Sequence, residues 1–304
     1  MSRATLEQWR MLKAVVDHGG FNQAAAVVHK SASSINHAVH KLQDQLGVQL
    51  LVVEGRKALL TEAGQALLRR ASLLLEEAAS LEDAAERLAL GVEAVVRLAV
   101  DQIFPPDLLA QVLADFSAAW PGTRIELRES VLSGGVELLY GGEVDLLISG
   151  MPVQGFLGLP LMPVSFVCVA HPDHPLHQLQ HPLSLKDLQR HRQLVVRDSA
   201  TAHRVDAGWL KAEQRWTVSH VATSIRMLEL GLGFAWLPLS LIEPALQAGR
   251  LKTLALPFEG LRQVPLQLIQ ADPDTAGPAT RALVAAFLAT AGGSDDSVVA
   301  PAAG

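Results

Sequence analysis

The 304-residue sequence has one cysteine, 18% charged residues and no long apolar run. A single cysteine excludes a disulfide within the chain, and with it redox sensing by two cysteines of the same chain. Cys168 lies in the apolar run SFVCVA, which is typical of a buried strand rather than of a reactive thiol. Glu7 and Asp17 interrupt the apolar pattern at the start, and no later run reaches membrane-spanning length. We therefore expect a cytoplasmic protein without membrane contact.

Sequence motifs of common catalytic and cofactor sites are also missing. The chain has no phosphate-binding loop, no Gly-x-Ser-x-Gly elbow and no His-Glu-x-x-His, and GLGFAW lacks the third glycine of a dinucleotide turn. The run HPDHPLHQLQH contains His171, His174, His177 and His181, but its prolines indicate an irregular loop and no Cys or carboxylate cluster has ligand spacing. We expect no enzyme, no cofactor and no metal site.

Charge is distributed unevenly along the chain. The formal net charge is −6, yet residues 1–60 hold seven basic and four acidic residues, a net of +3, so the remainder carries −9. Contacts with phosphates need local cations even when the whole chain is acidic. The distribution indicates a front end that binds a polyanion.

The first 60 residues predict a helix-turn-helix followed by a wing. Residues 5–17 form an amphipathic helix, and a turn near Lys30 follows a short helix whose alanines at 24–26 fit a close helix crossing. Ser31 is placed to cap the next helix, whose residues Ile35, Val39, Leu42 and Leu46 form one apolar stripe. Two short strands then flank a basic turn at 54–57. The second helix of such a motif enters a DNA major groove.

A long helix without proline is predicted from Thr61 to near Gly91. One heptad position is occupied by Leu67, Leu74, Leu81 and Leu88, and the neighbouring seam position by Ala71, Ala78 and Ala85. Such a stripe either packs against the chain's own body or meets the same helix of a second copy. The Leu/Ala seam with flanking Glu and Arg favours the two-helix interface, and hence a homodimer.

From Val95 onward the pattern alternates between strands and helices, which predicts an α/β region of two lobes with a cleft between them. We assign 1–60 to the DNA-binding domain and 61–91 to the linker helix. Residues 92–161 with 265–291 form the first lobe, 162–264 the second, and 292–304 a disordered tail.

The run from TLEQWRMLKAVV to ALLTEAG resembles the winged helix-turn-helix of LysR-type transcriptional regulators, and the remainder is similar to their effector-binding region. The resemblance implies a bilobal, periplasmic-binding-protein-like (type 2) effector domain. It also implies double-stranded DNA, a small-molecule effector and a second copy of the chain as partners, and leaves tetramers and contact with RNA polymerase open. Ala32 stands where the family commonly has Gln, and His37 where Arg or Lys is usual.

The outward face of the second helix carries short hydrogen-bonding side chains instead of the Glu, Lys and Arg of an ordinary solvated face. Compact polar groups suit base edges and phosphates, although each taken singly could be a capping or surface residue. The predicted DNA-binding residues are Ser31, Ser33, Ser34, Asn36, His37, Lys41, Arg56 and Lys57.

By resemblance, the effector cleft is walled by strand ends and helix starts. The predicted effector-binding residues are Asp101, Ser130, Ser133, Arg197, Ser199, Thr201, Ser219 and His220. Hydroxyl groups at helix N-termini favour anions, so we expect a polar, anionic effector, although each residue could equally be a local cap. The alternatives are a bilobal solute-binding protein and a DNA-binding regulator without a functional ligand site.

Overall fold

The computed structural model describes residues 3–54, 57–256 and 262–292. The chain divides into two compact units, Met1–Leu90 and Gly91–Gly304. This division falls at the predicted end of the linker helix.

The described residues of the N-terminal unit form four helices and a hairpin in the predicted order. They are α1 (Leu6–Asp17), α2 (Phe21–Val27), α3 (Ala32–Leu46), β1 (Leu51–Glu54), β2 (Lys57–Leu60) and α4 (Glu62–Ala89). Strands β1 and β2 pair antiparallel, with Glu54 opposite Lys57 at the tip. The winged helix-turn-helix and the long helix are therefore confirmed.

Local sequence signals begin and end these helices. The backbone N–H of Gln8 donates to the Thr5 hydroxyl, and the Gln8 side chain accepts from the backbone of Thr5, so α1 starts with a capping box. The hydroxyl of Ser31 accepts from the backbone N–H of Ser34 at 3.1 Å, which confirms the predicted cap of α3. Gly47, at φ 69°, ends α3 in the left-handed conformation that glycine tolerates.

The apolar stripe of α3 forms the core of this unit. Ile35, Val39 and Leu42 are buried against α1, and Leu46 packs against the same cluster. The predicted close crossing of the Ala-rich helix is correct for Ala24, which is buried, but wrong for Ala26. Ala26 is two residues from Ala24, which places it on the opposite face of the helix, where it is exposed.

The C-terminal unit is built on one mixed sheet. Its strands are β3 (Val95–Asp101), β4 (Arg124–Ser130), β5 (Leu146–Ser149), β6 (Gly158–Ala170), β7 (Gln193–Val196), β8 (Arg215–Val218), β9 (Phe234–Pro238), β10 (Lys252–Thr253) and β11 (Arg262–Gln270). The strand order is β4-β3-β5-β11-β6-β9-β7-β8, and β10 pairs with β6. The long strands β6 and β11 run antiparallel and join two groups of parallel strands.

Helices cover each group of strands and bury a separate core. They are α5 (Pro106–Ala119), α6 (Ser133–Tyr140), α7 (Leu185–Gln189), α8 (Val221–Glu229), α9 (Leu239–Gln247) and α10 (Pro278–Gly292). Phe287 of α10 lies in the first core beside Phe104, as expected for a C-terminal return to the first lobe. Leu194 and Ile242 belong to the second core.

The proposed lobe boundaries at 161/162 and 264/265 fall inside β6 and β11. They stay a prediction, since a strand shared by both lobes has no unique point of division. Of the predicted tail, residues 293–304 lie outside the described part of the chain.

Candidate DNA-binding and effector sites

Four predicted DNA-binding residues form one exposed face of α3. Ser33, Asn36, His37 and Lys41 are exposed on the side of the helix opposite the buried stripe. No side-chain hydrogen bond or ion pair ties any of the four to another described residue. Their polar groups are therefore free to meet a partner.

The other two predicted residues of this helix have a structural use. The hydroxyl groups of Ser31 and Ser34 are 2.8 Å apart, and that of Ser31 also accepts from the backbone N–H of Ser34. This is the capping alternative that the sequence left open. Of the predicted wing residues, Arg56 lies outside the described residues, and the side chain of Lys57 is not described.

Two glutamines that the sequence did not single out hold α3 in place. The Gln43 Oε1 atom accepts from the backbone N–H groups of Leu50 (2.7 Å) and Leu51 (3.1 Å) at the start of the wing. The Gln45 Oε1 atom accepts from Gln8 Nε2 of α1 at 3.0 Å. These contacts fix the orientation in which α3 presents its exposed face.

The LTEAG segment has a steric explanation. Thr61 caps α4 by accepting from the backbone N–H of Gly64 at 2.9 Å, and its hydroxyl donates to the Gln49 carbonyl at 2.7 Å. A Cβ atom on Gly64 would lie 2.1 Å from the Leu50 carbonyl oxygen. Only glycine allows α4 to approach the chain entering the wing this closely.

The leucine stripe of α4 is uncovered within the N-terminal unit for most of its length. Leu74, Leu81 and Leu88 are 58%, 73% and 59% exposed, whereas Leu67 packs against the unit's core. On the seam position beside it, Ala71 is buried in the same unit and Ala85 is exposed. Packing within the N-terminal unit thus accounts only for the first part of the stripe.

A cavity of about 360 Å³ lies in the C-terminal unit where β6 and β11 join the two groups of strands. Its wall is mainly apolar and includes residues that follow β3 and residues of β7 and β9. Among the lining residues are Asp101, Gln102, Leu132, Phe166, Gln193, Leu194, Val195, Val196, Ala207, Trp209, Trp236, Arg262 and Val264. This volume is at the lower end of the roughly 300–1,000 Å³ typical of ligand pockets.

Asp101 is the predicted effector residue that lines this cavity. The residue is only 4% exposed, and its carboxylate accepts from the backbone N–H groups of Ile103 (3.1 Å) and Leu132 (3.3 Å). Burial raises the pKa of Asp101 to about 6. Leu132 has a φ of 52°, a conformation that costs a non-glycine residue about 1–3 kcal/mol. The bond to Asp101 holds this strained turn at the cavity wall.

Other predicted hydroxyl groups bond within the protein, and their assignment to an effector stays a prediction. Ser133 donates to the Asp198 carboxylate and to the His203 carbonyl, at 3.0 Å for the latter. Ser199 accepts from the backbone N–H of Val131 at 2.9 Å. These contacts link the segment after β7 to the start of α6, and neither serine lines the cavity.

Thr201 makes a similar internal contact. Its hydroxyl and its backbone N–H, the latter at 2.6 Å, donate to the Glu137 carboxylate of α6. These bonds lower the pKa of Glu137, and the bond from the Thr201 hydroxyl has the largest effect. The hydroxyl groups of Ser133, Ser199 and Thr201 therefore connect the segment after β7 to α6 and the residues just before it.

The remaining predicted effector residues also lie outside the wall of the main cavity. Ser130 is buried and its hydroxyl has no partner among the described residues, while Ser219 is exposed. Arg197 lines a neighbouring cavity of about 260 Å³ together with Arg204 and Arg215.

His220 is held by Gln102. The Gln102 Oε1 atom accepts from the backbone N–H of Val221 at 3.0 Å, so Gln102 Nε2 faces the ring and donates to His220 Nδ1 at 2.9 Å. Gln102 lines the cavity and connects the end of β3 to the start of α8.

Sequence reasoning missed the aromatic part of the wall. Phe166, Trp209 and Trp236 come from β6, from the segment between β7 and β8, and from β9. No local pattern connects residues so far apart in the chain. Aromatic residues make up only 5% of the sequence, and this scarcity was the one available reason to single out each of them.

The histidine-rich loop is a packed surface element. His174 is buried, its Nδ1 accepts from the backbone N–H of Leu176 at 3.2 Å, and its ring lies 5.1 Å from that of His191. Burial lowers the pKa of His174 to about 4. Within 3–54, 57–256 and 262–292, no three metal-ligating side chains are grouped to hold an ion. Cys168 is buried in β6, as predicted.

Comparison with known families accounts for both units. Residues 6–65 match the model of the bacterial regulatory helix-turn-helix protein of the lysR family, and residues 90–292 match the LysR substrate binding domain. The chain belongs to the LysR family. It is a LysR-type DNA-binding transcriptional regulator with an effector-binding domain, in agreement with the resemblance noted from the sequence.

Individual relatives support this assignment over most of their length. The chain is 32% identical to the uncharacterized HTH-type transcriptional regulator YeeY of Escherichia coli K12 over 251 residues, 81% of each chain. It is 31% identical to the probable regulator YhaJ of the same strain over 258 residues, 83% of this chain and 86% of that one.

Among solved structures, the full-length virulence activator AphB of Vibrio cholerae has a TM-score of 0.53 at 19% identity, covering 94% of this chain and 99% of that one. This similarity is evidence for the fold. The helices of the described residues include none that is both long and apolar enough to cross a membrane.

Proposed function

We propose that this LysR-type regulator reads double-stranded DNA with the exposed face of α3, and that a small molecule bound in the 360 Å³ cavity changes its DNA binding. The observation that carries the first part is the set of unpaired polar side chains on α3. The second part rests on an apolar, ligand-sized cavity placed where the two strand groups join.

Asn36 is the residue of α3 best suited to base recognition. It is exposed in the first third of the helix, and its amide offers a donor and an acceptor at once, the pattern that suits the major-groove edge of adenine. Lys41, one turn further along, is a single positive charge that suits a phosphate. Position 37 holds His where the family usually has Arg or Lys, so a permanent positive charge is missing. Asn36 and Ser33 therefore contribute more of the DNA recognition.

Replacing Asn36 by Ala tests this assignment. A duplex selected by the wild-type protein from random sequences and a scrambled duplex are compared by fluorescence anisotropy. Asn36→Ala is expected to weaken the selected duplex by about 1–3 kcal/mol, the cost of a lost base contact, and to leave the scrambled duplex unchanged. Lys41→Ala should weaken both duplexes equally and reduce the salt dependence.

Asn22→Ala is the matched control, because Asn22 is exposed on α2 outside the α3 face. Equal losses on the two duplexes for Asn36→Ala would remove this residue from the set that reads bases.

We infer that two chains associate through α4. The exposed Leu74, Leu81 and Leu88 recur at seven-residue spacing and present an apolar stripe that the N-terminal unit by itself leaves uncovered. A homodimer would supply two α3 helices for two DNA half-sites. Pairing of dimers into tetramers and contact with RNA polymerase extend the same proposal.

The cavity is the proposed effector site, which sets this chain apart from a regulator without a ligand. The rationale for an anionic effector weakens, because Ser133, Ser199 and Thr201 bond within the protein. Transmission to DNA requires that the effector bind one arrangement of the protein better than another. We place the protein in the cytoplasm, where its DNA is, and assign it no catalytic role.

A further inference from the structure

We propose that the effector is an aromatic molecule whose polar group donates a hydrogen bond and carries no negative charge. This inference rests on the proposed function, since it concerns the chemistry of the same cavity. It replaces the polar, anionic metabolite expected from the sequence.

Three aromatic rings from separate segments meet in the cavity wall. The rings of Trp209 and Trp236 have centroids 5.6 Å apart at an angle of 49°, and Phe166 lines the same space. Behind them Phe234 is fully buried, with its ring 6.2 Å from that of Trp209 and 5.7 Å from that of Trp236. Aromatic rings favour a further ring at about 4.5–7 Å in tilted or offset contact.

The rest of the wall does not suit a polyhydroxyl or dicarboxylate ligand. Leu194, Val195 and Val264 supply aliphatic surface, and no serine, threonine or tyrosine contributes to the cavity among the described residues. A ligand with many polar groups would lose its hydration without replacement hydrogen bonds. A mainly apolar ligand with few polar atoms fits this wall better.

The buried polar groups of the wall are mostly acceptors without a full set of donors. The Asp101 carboxylate has two backbone donors for two oxygens, so lone pairs remain. Gln193 donates through Nε2 to the Trp209 carbonyl at 2.7 Å, while its Oε1 atom is buried without a partner in the described structure. Trp209 Nε1, in contrast, is a buried donor without a partner in the described structure.

Charge then disfavours an anion at the inner wall. Asp101 is buried, and Asp198 adds a second negative charge close enough to raise the pKa of Asp101 further. Arg262 is the positive side chain of the wall, but it is exposed, so water and salt screen it. A ligand amide N–H can donate a hydrogen bond to the Asp101 carboxylate, whereas a ligand carboxylate at this position would be repelled by its negative charge.

Three matched fluorinated probes test the ligand class on the full chain by ¹⁹F NMR titration. They are 4-(trifluoromethyl)benzamide, 4-(trifluoromethyl)benzoate and 4-(trifluoromethyl)cyclohexane-1-carboxamide. The benzamide is expected to bind about tenfold more tightly than either of the others. The benzoate has no N–H donor and carries a negative charge, and the cyclohexane carboxamide has no aromatic ring.

Variants assign each preference to its residue. Asp101→Asn should remove the preference for the benzamide over the benzoate, and Trp209→Leu the preference for the aromatic over the cyclohexane probe. Ala207→Trp fills the cavity from an exposed position and should abolish binding of all three probes. Ala202→Trp, in the same segment but outside the wall, is the control and should bind like wild type.

Two results would overturn the inference in distinguishable ways. If the benzoate binds as well as the benzamide, or if Asp101→Asn leaves the preference unchanged, the ligand class is wrong while the site stands. If no probe binds more weakly to Ala207→Trp than to Ala202→Trp, the cavity is not a ligand site and the proposed function fails as well.

Discussion

Replacement of Asp101 by Asn is expected to stabilise the C-terminal unit at neutral pH. The introduced amide, like the protonated carboxyl group, carries no charge, and its single oxygen can accept from the backbone N–H of Ile103 or of Leu132, which bond to separate oxygens of Asp101. Burial raises the pKa of Asp101 from 3.8 to about 6 in the folded protein. At about 1.4 kcal/mol per pKa unit, ionisation therefore costs the folded state up to about 3 kcal/mol above pH 6.

The sign of the pH dependence follows from proton binding. Between about pH 4 and pH 6 the folded state holds a proton that the unfolded state has lost, so Asp101 lowers the free energy of unfolding as pH rises. Below this window both states are protonated, and above it both are ionised. Because the amide loses one of the two backbone hydrogen bonds, the variant should have no advantage over wild type near pH 4, and the difference should shift in its favour by up to about 3 kcal/mol towards pH 7.

Urea unfolding at a series of pH values measures this difference. Tryptophan fluorescence reports mainly on the C-terminal unit, which holds Trp120, Trp209, Trp216 and Trp236, with Trp9 in the other unit. Asp115→Asn, at an exposed position of α5, controls for the loss of one negative charge. A variant less stable than wild type at pH 7, or a difference that does not grow with pH, would refute the reasoning.

Two further predictions concern the N-terminal unit. Gly64→Ala should destabilise it by about 1–3 kcal/mol despite the better helix propensity of Ala, because the new Cβ atom would lie 2.1 Å from the Leu50 carbonyl oxygen. Amide hydrogen exchange of α1 and α3 measures this loss, with Ala66→Gly as the control for helix propensity. The double change Leu74→Asp and Leu81→Asp should convert dimers into monomers in light scattering, whereas Leu90→Asp, beyond the end of α4, should not; an unchanged mass would contradict the α4 interface.

The helix-turn-helix could be predicted in detail because its signals are local. Ser31 caps α3 through a residue three positions away, Gly47 ends the helix through its own backbone conformation, and Ile35, Val39 and Leu42 share a face by helical periodicity. The strands of the C-terminal unit were likewise recognisable from short apolar runs. These features depend on neighbours within a few residues.

The proposed effector site could be predicted only in outline. Asp101 was recognised at the end of a strand, where the cavity does lie. Ser133, Ser199 and Thr201 were also correctly placed at element ends, but sequence could not show what they contact. Each bonds to a group more than 60 residues away, in the other predicted lobe.

The sequence by itself determined the helices and wing of the N-terminal unit, their order and the exposed polar face of α3, because caps, glycines and hydrophobic periodicity act over one or two turns of chain. Only the tertiary structure decided the character of the cavity. It brings Phe166, Trp209 and Trp236 together and turns the hydroxyl groups of Ser199 and Thr201 toward protein partners. The physical reason is that a cavity wall is made of distant segments, whose meeting depends on the pairing of β6 with β9 and β11.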